Sequence, residues 1–192
     1  MSHTGTTREW LQLNRRSFLF EAAALSGAAA LSSALLLPTQ RAWSEEGKYH
    51  LSDAARRATS ESSLIYVSPL RSDGSESKCH AEIWFVPDGE DLFVVTPLDA
   101  WRSRAIKQGL DTARIWVGSF GNWRRSGGKY KSAPHFLAKA SIVPRGDAVI
   151  AKCLADMGKK YATTGWKTYG VPFHEGTKDG SRVVIRYRPM SA

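Results

Sequence analysis

The sequence predicts a mainly β protein, a small antiparallel barrel of six strands, Greek-key in type, with accessory helices. Three observations carry this. Short runs rich in Val, Ile, Phe, Tyr and Trp recur from residue 62 onward. Asp73-Gly74 and Asp88-Gly89 separate the first three runs with the chemistry of tight hairpins. Segments of helical period fall before the first strand, between the third and fourth, and before the last, so alternating βαβ units do not fit. Closing the sheet removes the edges that a meander exposes. The 192 residues allow one domain with a real core, and 42% apolar with 23% charged residues is a globular balance.

In chain order, "LSDAARRATS" (51–60) predicts a short helix, with Ser52 as cap and Asp53 in the first turn, where its charge suits the helix dipole. "SSLIYVSPL" (62–70), "KCHAEIWFVP" (78–87) and "DLFVVTP" (91–97) predict three strands joined by two hairpins. "LDAWRSRAIKQG" (98–109) changes period: Asp99 is the expected cap, Trp101, Ala105 and Ile106 form a stripe, and Gly109 ends it. "TARIWVGSF" (112–120) and "PHFLAKASIV" (134–143) are the fourth and fifth strands, around a basic, glycine-rich loop or exposed hairpin, "GNWRRSGGKYKS" (121–132). The strongest helical pattern is 145–162, with Val149, Cys153 and Met157 at i, i+4 and i+8. Residues 163–180, rich in glycine, read as irregular, and "SRVVIRYRP" (181–189) is the last strand.

The first 44 residues read as a separate segment, leaving 45–192 as the working domain. Phe18 to Pro38 is rich in Ala, Leu and Ser and holds one charge, Glu21. Weak hydrophobicity behind a basic region suits a cleavable export signal better than a spanning helix. Ala42 and Ser44 are the small residues a signal peptidase requires, placing the cut after Ser44. "NRRSFL", with Arg15 and Arg16, resembles the twin-arginine export signal. That resemblance implies a partner, the twin-arginine export machinery, and a periplasmic or otherwise exported product. It also implies cargo that folds, often around a cofactor, before crossing. Four arginines (8, 15, 16 and 41) would leave against Glu9 and Glu21, so most of the net charge of +9 stays with the working domain.

Several chemistries lack their residues. His50, His80, His135 and His174 are isolated and no cysteine pair has ligand spacing, so no metal site is expected. One histidine as an axial haem ligand stays open. No G-x-S-x-G elbow, P-loop or G-x-G-x-x-G appears. Cys79 and His80 are adjacent, but neighbours on a strand point to opposite faces, so Cys79 is expected in the core. Cys79 and Cys153 do not make a disulfide framework. No residue stands out as catalytic. The positive charge suits nucleic acid, an anionic surface, an anionic ligand or plain solvation. "NWRRSGGKYK" mixes Trp123, Tyr130 and cations as a stacking surface would, yet export argues against nucleic acid as a partner.

"TPLDAWRSRAIK" is the segment with a ligand-binding pattern. A strand ends at Thr96 and a helix with Arg102 and Arg104 in its first turns follows. A hydroxyl, helix-start N–H groups and guanidinium forks together make a phosphate cradle; the alternative is ordinary helix-surface charge. The stretch from "LIYVSP" to "ARIWVG" (64–118), with its "RSDGS" turn, "AEIWFV", "LFVVT" and "AWRSRAI", resembles the flavin-binding split-barrel proteins, the pyridoxamine-phosphate-oxidase-like superfamily that includes deazaflavin-dependent reductases. The resemblance implies a homodimer of six-stranded split barrels with FMN in a groove at the interface. It implies phosphate contacts from Thr96, Arg102 and Arg104, with Trp101 beside them. It places the ring edge on Glu82, Ile83 and Trp84, with Ser68 and Pro69 alongside. The expected function is an exported FMN-dependent oxidoreductase acting on a small organic substrate. The alternative is a non-catalytic barrel holding a flavin, deazaflavin or haem.

Overall fold

The computed structural model describes residues 50–190; Arg15, Arg16 and the cut near Ser44 lie outside them. The elements are α1 (Asp53–Glu61), β1 (Ile65–Pro69), β2 (Ala81–Ile83), β3 (Val86–Asp88), β4 (Asp91–Pro97), α2 (Trp101–Lys107), β5 (Thr112–Val117), β6 (His135–Ile142), α3 (Ala148–Lys160), α4 (Trp166–Asp179) and β7 (Arg182–Pro189). A short 3-10 turn at Lys129–Ser132 precedes β6. The strands form one antiparallel sheet in the order β2-β1-β5-β6-β7-β4-β3. Among the described residues no helix is long and apolar enough to cross a membrane.

There are seven strands where six are predicted, because the 78–87 segment is two. β2 pairs with β1, and β3 pairs with β4, at opposite ends of the sheet. Only Trp84 and Phe85 join them. The sheet therefore curls until its ends meet, and the barrel is split where this strand changes partners. The break leaves the N–H and C=O of fully buried Phe85 without ladder partners, which is costly unless something replaces them. Tyr161, just past α3, does so: its hydroxyl accepts from Phe85 N at 2.9 Å and lies 2.8 Å from Phe85 O and 2.9 Å from Ser63 O. Trp84 stacks on the same ring, 4.4 Å between centroids.

Period-two alternation sorts the strands onto two faces. Ile65 and Val67, Leu92 and Val94, Ile115 and Val117, and Ile185 and Tyr187 fill the barrel, with Ala113, Ala138 and Ala140 leaving room for Phe85 and Tyr187. The outward residues Phe93, Val95 and Val184 pack with Val86 under α3 and α4, against Cys153, Leu154, Met157 and Tyr161. The outward residues of β1 and β5, Tyr66 and Trp116, form a third cluster with Tyr130 and Ala133. The 121–132 loop is thus anchored by a buried tyrosine and is not a free hairpin.

Two helix signals read from sequence are corrected. Ala100, not Asp99, occupies the N-cap of α2, and no side chain caps it. Residues 163–180 are not irregular, because α4 occupies most of them. Its interior Pro172 and glycines oppose helix by propensity, but tertiary contacts override them. At Gly170 a Cβ would meet the Trp166 indole at 2.7 Å, so the glycine is needed for that ring to lie flat along the helix. Gly180 ends α4 in the left-handed conformation, φ 88°, as glycine does readily.

Candidate functional site

A cavity of about 250 Å3 opens where β1, the segment leading into β2, the start of α2 and the 121–132 loop converge. Its floor is Val67, Pro69 and Ala81. Trp101 and Trp123 contribute indoles, and Lys78, Arg102 and Arg124 contribute cations. Cys79 and His80 complete the lining, which contains no carboxylate.

Sequence reasoning missed Lys78, Cys79 and His80 because it placed them on a strand. The strand starts only at Ala81. Ser77 intervenes: its hydroxyl accepts from Cys79 N at 3.2 Å and reaches Cys79 O at 3.3 Å, a local alternative to ladder bonding. With no strand to alternate their side chains, Cys79 and His80 both line the cavity. Cys79 is therefore not the core residue expected. Cys153 is buried under α3 in a different cluster, and both thiols are free. Ser77 is the signal that could have warned of the bend.

Arg102 is half-buried, and its buried Nε has no hydrogen-bond partner among the described residues. Burial lowers its pKa, while Tyr187 and Glu82 favour the charged form. A guanidinium remains cationic in such surroundings. Arg124 lies over the Trp123 ring at 5.3 Å.

Glu82 is occupied. Its carboxylate accepts from Asn122 Nδ2 at 2.8 Å and from Trp123 N at 3.2 Å, so it staples the 121–132 loop to β2. Tyr66 adds a second staple: its hydroxyl donates to Gly121 O at 2.7 Å and accepts from Phe120 N at 2.8 Å. Lys131 bonds Glu76 at 2.8 Å and adds a third. His80 sits under this loop, with Nδ1 3.0 Å from the Tyr130 hydroxyl and its ring 5.4 Å from Trp123. Burial, then the charge of Lys131, pushes its pKa below the usual histidine value, against the weaker pull of Glu76.

Of the residues expected to bind a cofactor, the structure brings Pro69, Trp101 and Arg102 into the cavity, and Glu82 borders it through the loop it holds. Ser68 is buried behind, its hydroxyl donating to Ser77 O at 3.3 Å. Ile83 packs against the barrel core. Trp84 faces the helices, past the strand break. Thr96 is fully buried, with Oγ1 unpartnered among the described residues. Arg104 is exposed on α2, away from the lining.

No family model matches the sequence, and no curated protein resembles it. Solved structures do resemble the fold. HutZ, the haem storage protein from Vibrio cholerae, superposes with TM-score 0.51 at 16% identity, over 74% of this chain and 92% of HutZ. A candidate pyridoxamine 5'-phosphate oxidase from Listeria innocua gives 0.47 at 11% identity, over 72% and 93%. An F420 reductase gives 0.41 at 18% identity, over 67% and 86%. The likeness to HutZ is one of fold: a curled antiparallel sheet with four helices among the described residues.

Proposed function

We propose that the chain is an exported FMN-binding oxidoreductase that acts on a small organic substrate. The observation that carries this reading is Arg102: a half-buried guanidinium whose buried Nε has no partner among the described residues, set beside two indoles in a cavity without a carboxylate. That donor set fits a planar, anionic, acceptor-rich cofactor. Arg102, Lys78 and Arg124 would neutralise the phosphate, and Trp101 and Trp123 would wall the ring. Glu82, held by the loop, stays turned from the ligand's negative charge. Bound FMN supplies hydride or electron transfer, while the protein supplies position and electrostatics. At about 250 Å3 the cavity is small beside the roughly 300–1,000 Å3 of ordinary ligand pockets, so a second copy of the chain completes the groove. Export through the twin-arginine signal and cleavage near Ser44 place the assembled holoprotein in the periplasm.

A second reading is haem binding. It requires the opposite tautomer of His80, with Nδ1–H donating to the Tyr130 hydroxyl and Nε2 left bare for iron. The absorption spectrum of the purified full chain, with an added-FMN titration, tests both. Flavin bands and FMN binding that Arg102→Ala weakens support the first reading. A colourless protein that ignores FMN overturns it, and a Soret band lost in His80→Ala supports the second.

A further inference from the structure

We infer that His80 is a neutral hydrogen-bond donor into the cavity, its Nε2–H selecting a ligand that presents an acceptor there. This deepens the flavin reading and rests on it for the identity of the ligand.

The argument starts from Tyr130. Its side chain is buried, and its hydroxyl has one hydrogen-bond partner among the described residues, His80 Nδ1 at 3.0 Å. Two arrangements are possible. If Nδ1 carried the proton, the hydroxyl would accept, and its own hydrogen would be buried without an acceptor. An unmade buried hydrogen bond is the costlier state. If the hydroxyl donates, Nδ1 is the acceptor and the imidazole proton resides on Nε2. Both groups are then satisfied.

The surroundings hold that tautomer. Tyr130 stacks on Tyr66 at 4.6 Å and meets Trp116 edge-on at 5.4 Å, which fixes where its hydroxyl points. The charged and titratable groups around His80 are Lys131 and Glu76 behind it, and Lys78, Cys79, Arg102 and Arg124 around the cavity. Cations outnumber the single carboxylate, so a second proton on the ring is disfavoured. His80 Nε2–H then joins Lys78, Arg102 and Arg124 as donors. Such a wall suits the carbonyl-bearing edge of a flavin ring. It does not suit iron, which needs an unprotonated nitrogen.

Long-range proton–nitrogen NMR of the uniformly labelled full chain reads the tautomer directly, without ligand. The expected result is Nδ1 as the bare nitrogen and Nε2 as the protonated one near neutral pH. Tyr130→Phe removes the donor, so it should mix the tautomers. FMN titration gives the second readout. His80→Leu should weaken binding about tenfold, the worth of one hydrogen bond of about 1.4 kcal/mol, and His80→Gln, which keeps an N–H, should recover most of it. A proton found on Nδ1, or equal FMN affinity in wild type and His80→Leu, overturns the inference. If His80→Leu fails to fold, Tyr130→Phe carries the tautomer test alone. A wild-type chain that ignores FMN sinks the flavin reading, and the nitrogen shifts still decide His80.

Discussion

The two sides of the broken strand are built from opposite materials. On the β2 side, Glu82 reaches out to the 121–132 loop, and cations, indoles and hydrogen bonds make an open cavity. On the β3 side, Trp84 turns under α3 and α4 into an apolar layer. Two residues, Trp84 and Phe85, separate the two regimes. The difference assigns the work: burial under the helices holds the barrel shut, while the polar side is free to specialise in a ligand. Changes on the helix side should cost stability and leave affinity alone. Changes on the loop side should do the reverse.

The largest expected effect is on the helix side. Met157 is 0% exposed at the centre of the α3 layer. Met157→Ala should cost about 2–5 kcal/mol in urea unfolding, through lost burial and a cavity. FMN affinity of the folded fraction should stay at the wild-type value. A large loss of affinity would show that the two sides are mechanically coupled.

Next is Arg102→Ala. A hydrogen bond to a charged group contributes about 1.5–3 kcal/mol, so FMN binding should weaken roughly tenfold to a hundredfold. Stability of the unliganded protein should hold or rise, because a half-buried cation whose Nε lacks a hydrogen bond is removed. Calorimetric titration and a thermal melt on the same sample separate the two effects. A clear drop in melting temperature with unchanged affinity would make Arg102 a structural residue.

These two sides were not equally legible in the sequence. Period-two alternation exposed the barrel core, since Ile65, Val67, Leu92 and Val94 sit where apolar residues alternate. Two Asp-Gly turns exposed both hairpins. The strand break did not show, because "HAEIWFVP" keeps strand-forming residues through the kink. What breaks it is a hydroxyl 76 residues away, Tyr161, which satisfies Phe85 in place of a neighbouring strand. Helix α4 was hidden for a related reason: Gly170 and Pro172 oppose helix locally, and the Trp166 packing that overrides them is tertiary. At the site, Trp101 and Arg102 were legible as a strand-to-helix turn with paired charge. His80 was not, since the contact that orients it comes from Tyr130, brought to it by the loop.

Glu82→Ala tests the loop side at a smaller scale. It leaves Asn122 Nδ2 and Trp123 N without their acceptor. Both are near solvent, so water replaces part of the loss and stability should fall by only about 1 kcal/mol. The loop itself should loosen more than the fold, with faster proteolysis at Arg124 and Arg125 and FMN affinity down several-fold. Unchanged cleavage would show that Tyr66 and Lys131 hold the loop without it.

The last test returns to the helix side and concerns pH. Lys160 ends α3 with its Nζ unpartnered among the described residues and 3.5 Å from the Phe85 ring centroid. Burial pushes its pKa down from the ordinary 10.5 to about 8. The folded protein therefore binds this proton more weakly than the unfolded chain. Below about pH 8 both states carry the charge, and the fold bears the full cost of desolvating the ammonium, which the Phe85 face offsets only in part. Between pH 8 and 10.5 the folded state releases its proton first, and stability from this group rises across that window. Lys160→Met keeps the stem and removes the titration. It should melt higher than wild type at pH 7, and the gap should narrow by pH 10. A gap that stays constant across that range would mean the ammonium finds water in the folded protein, and that the helix side is wetter at the strand break than its apolar packing suggests.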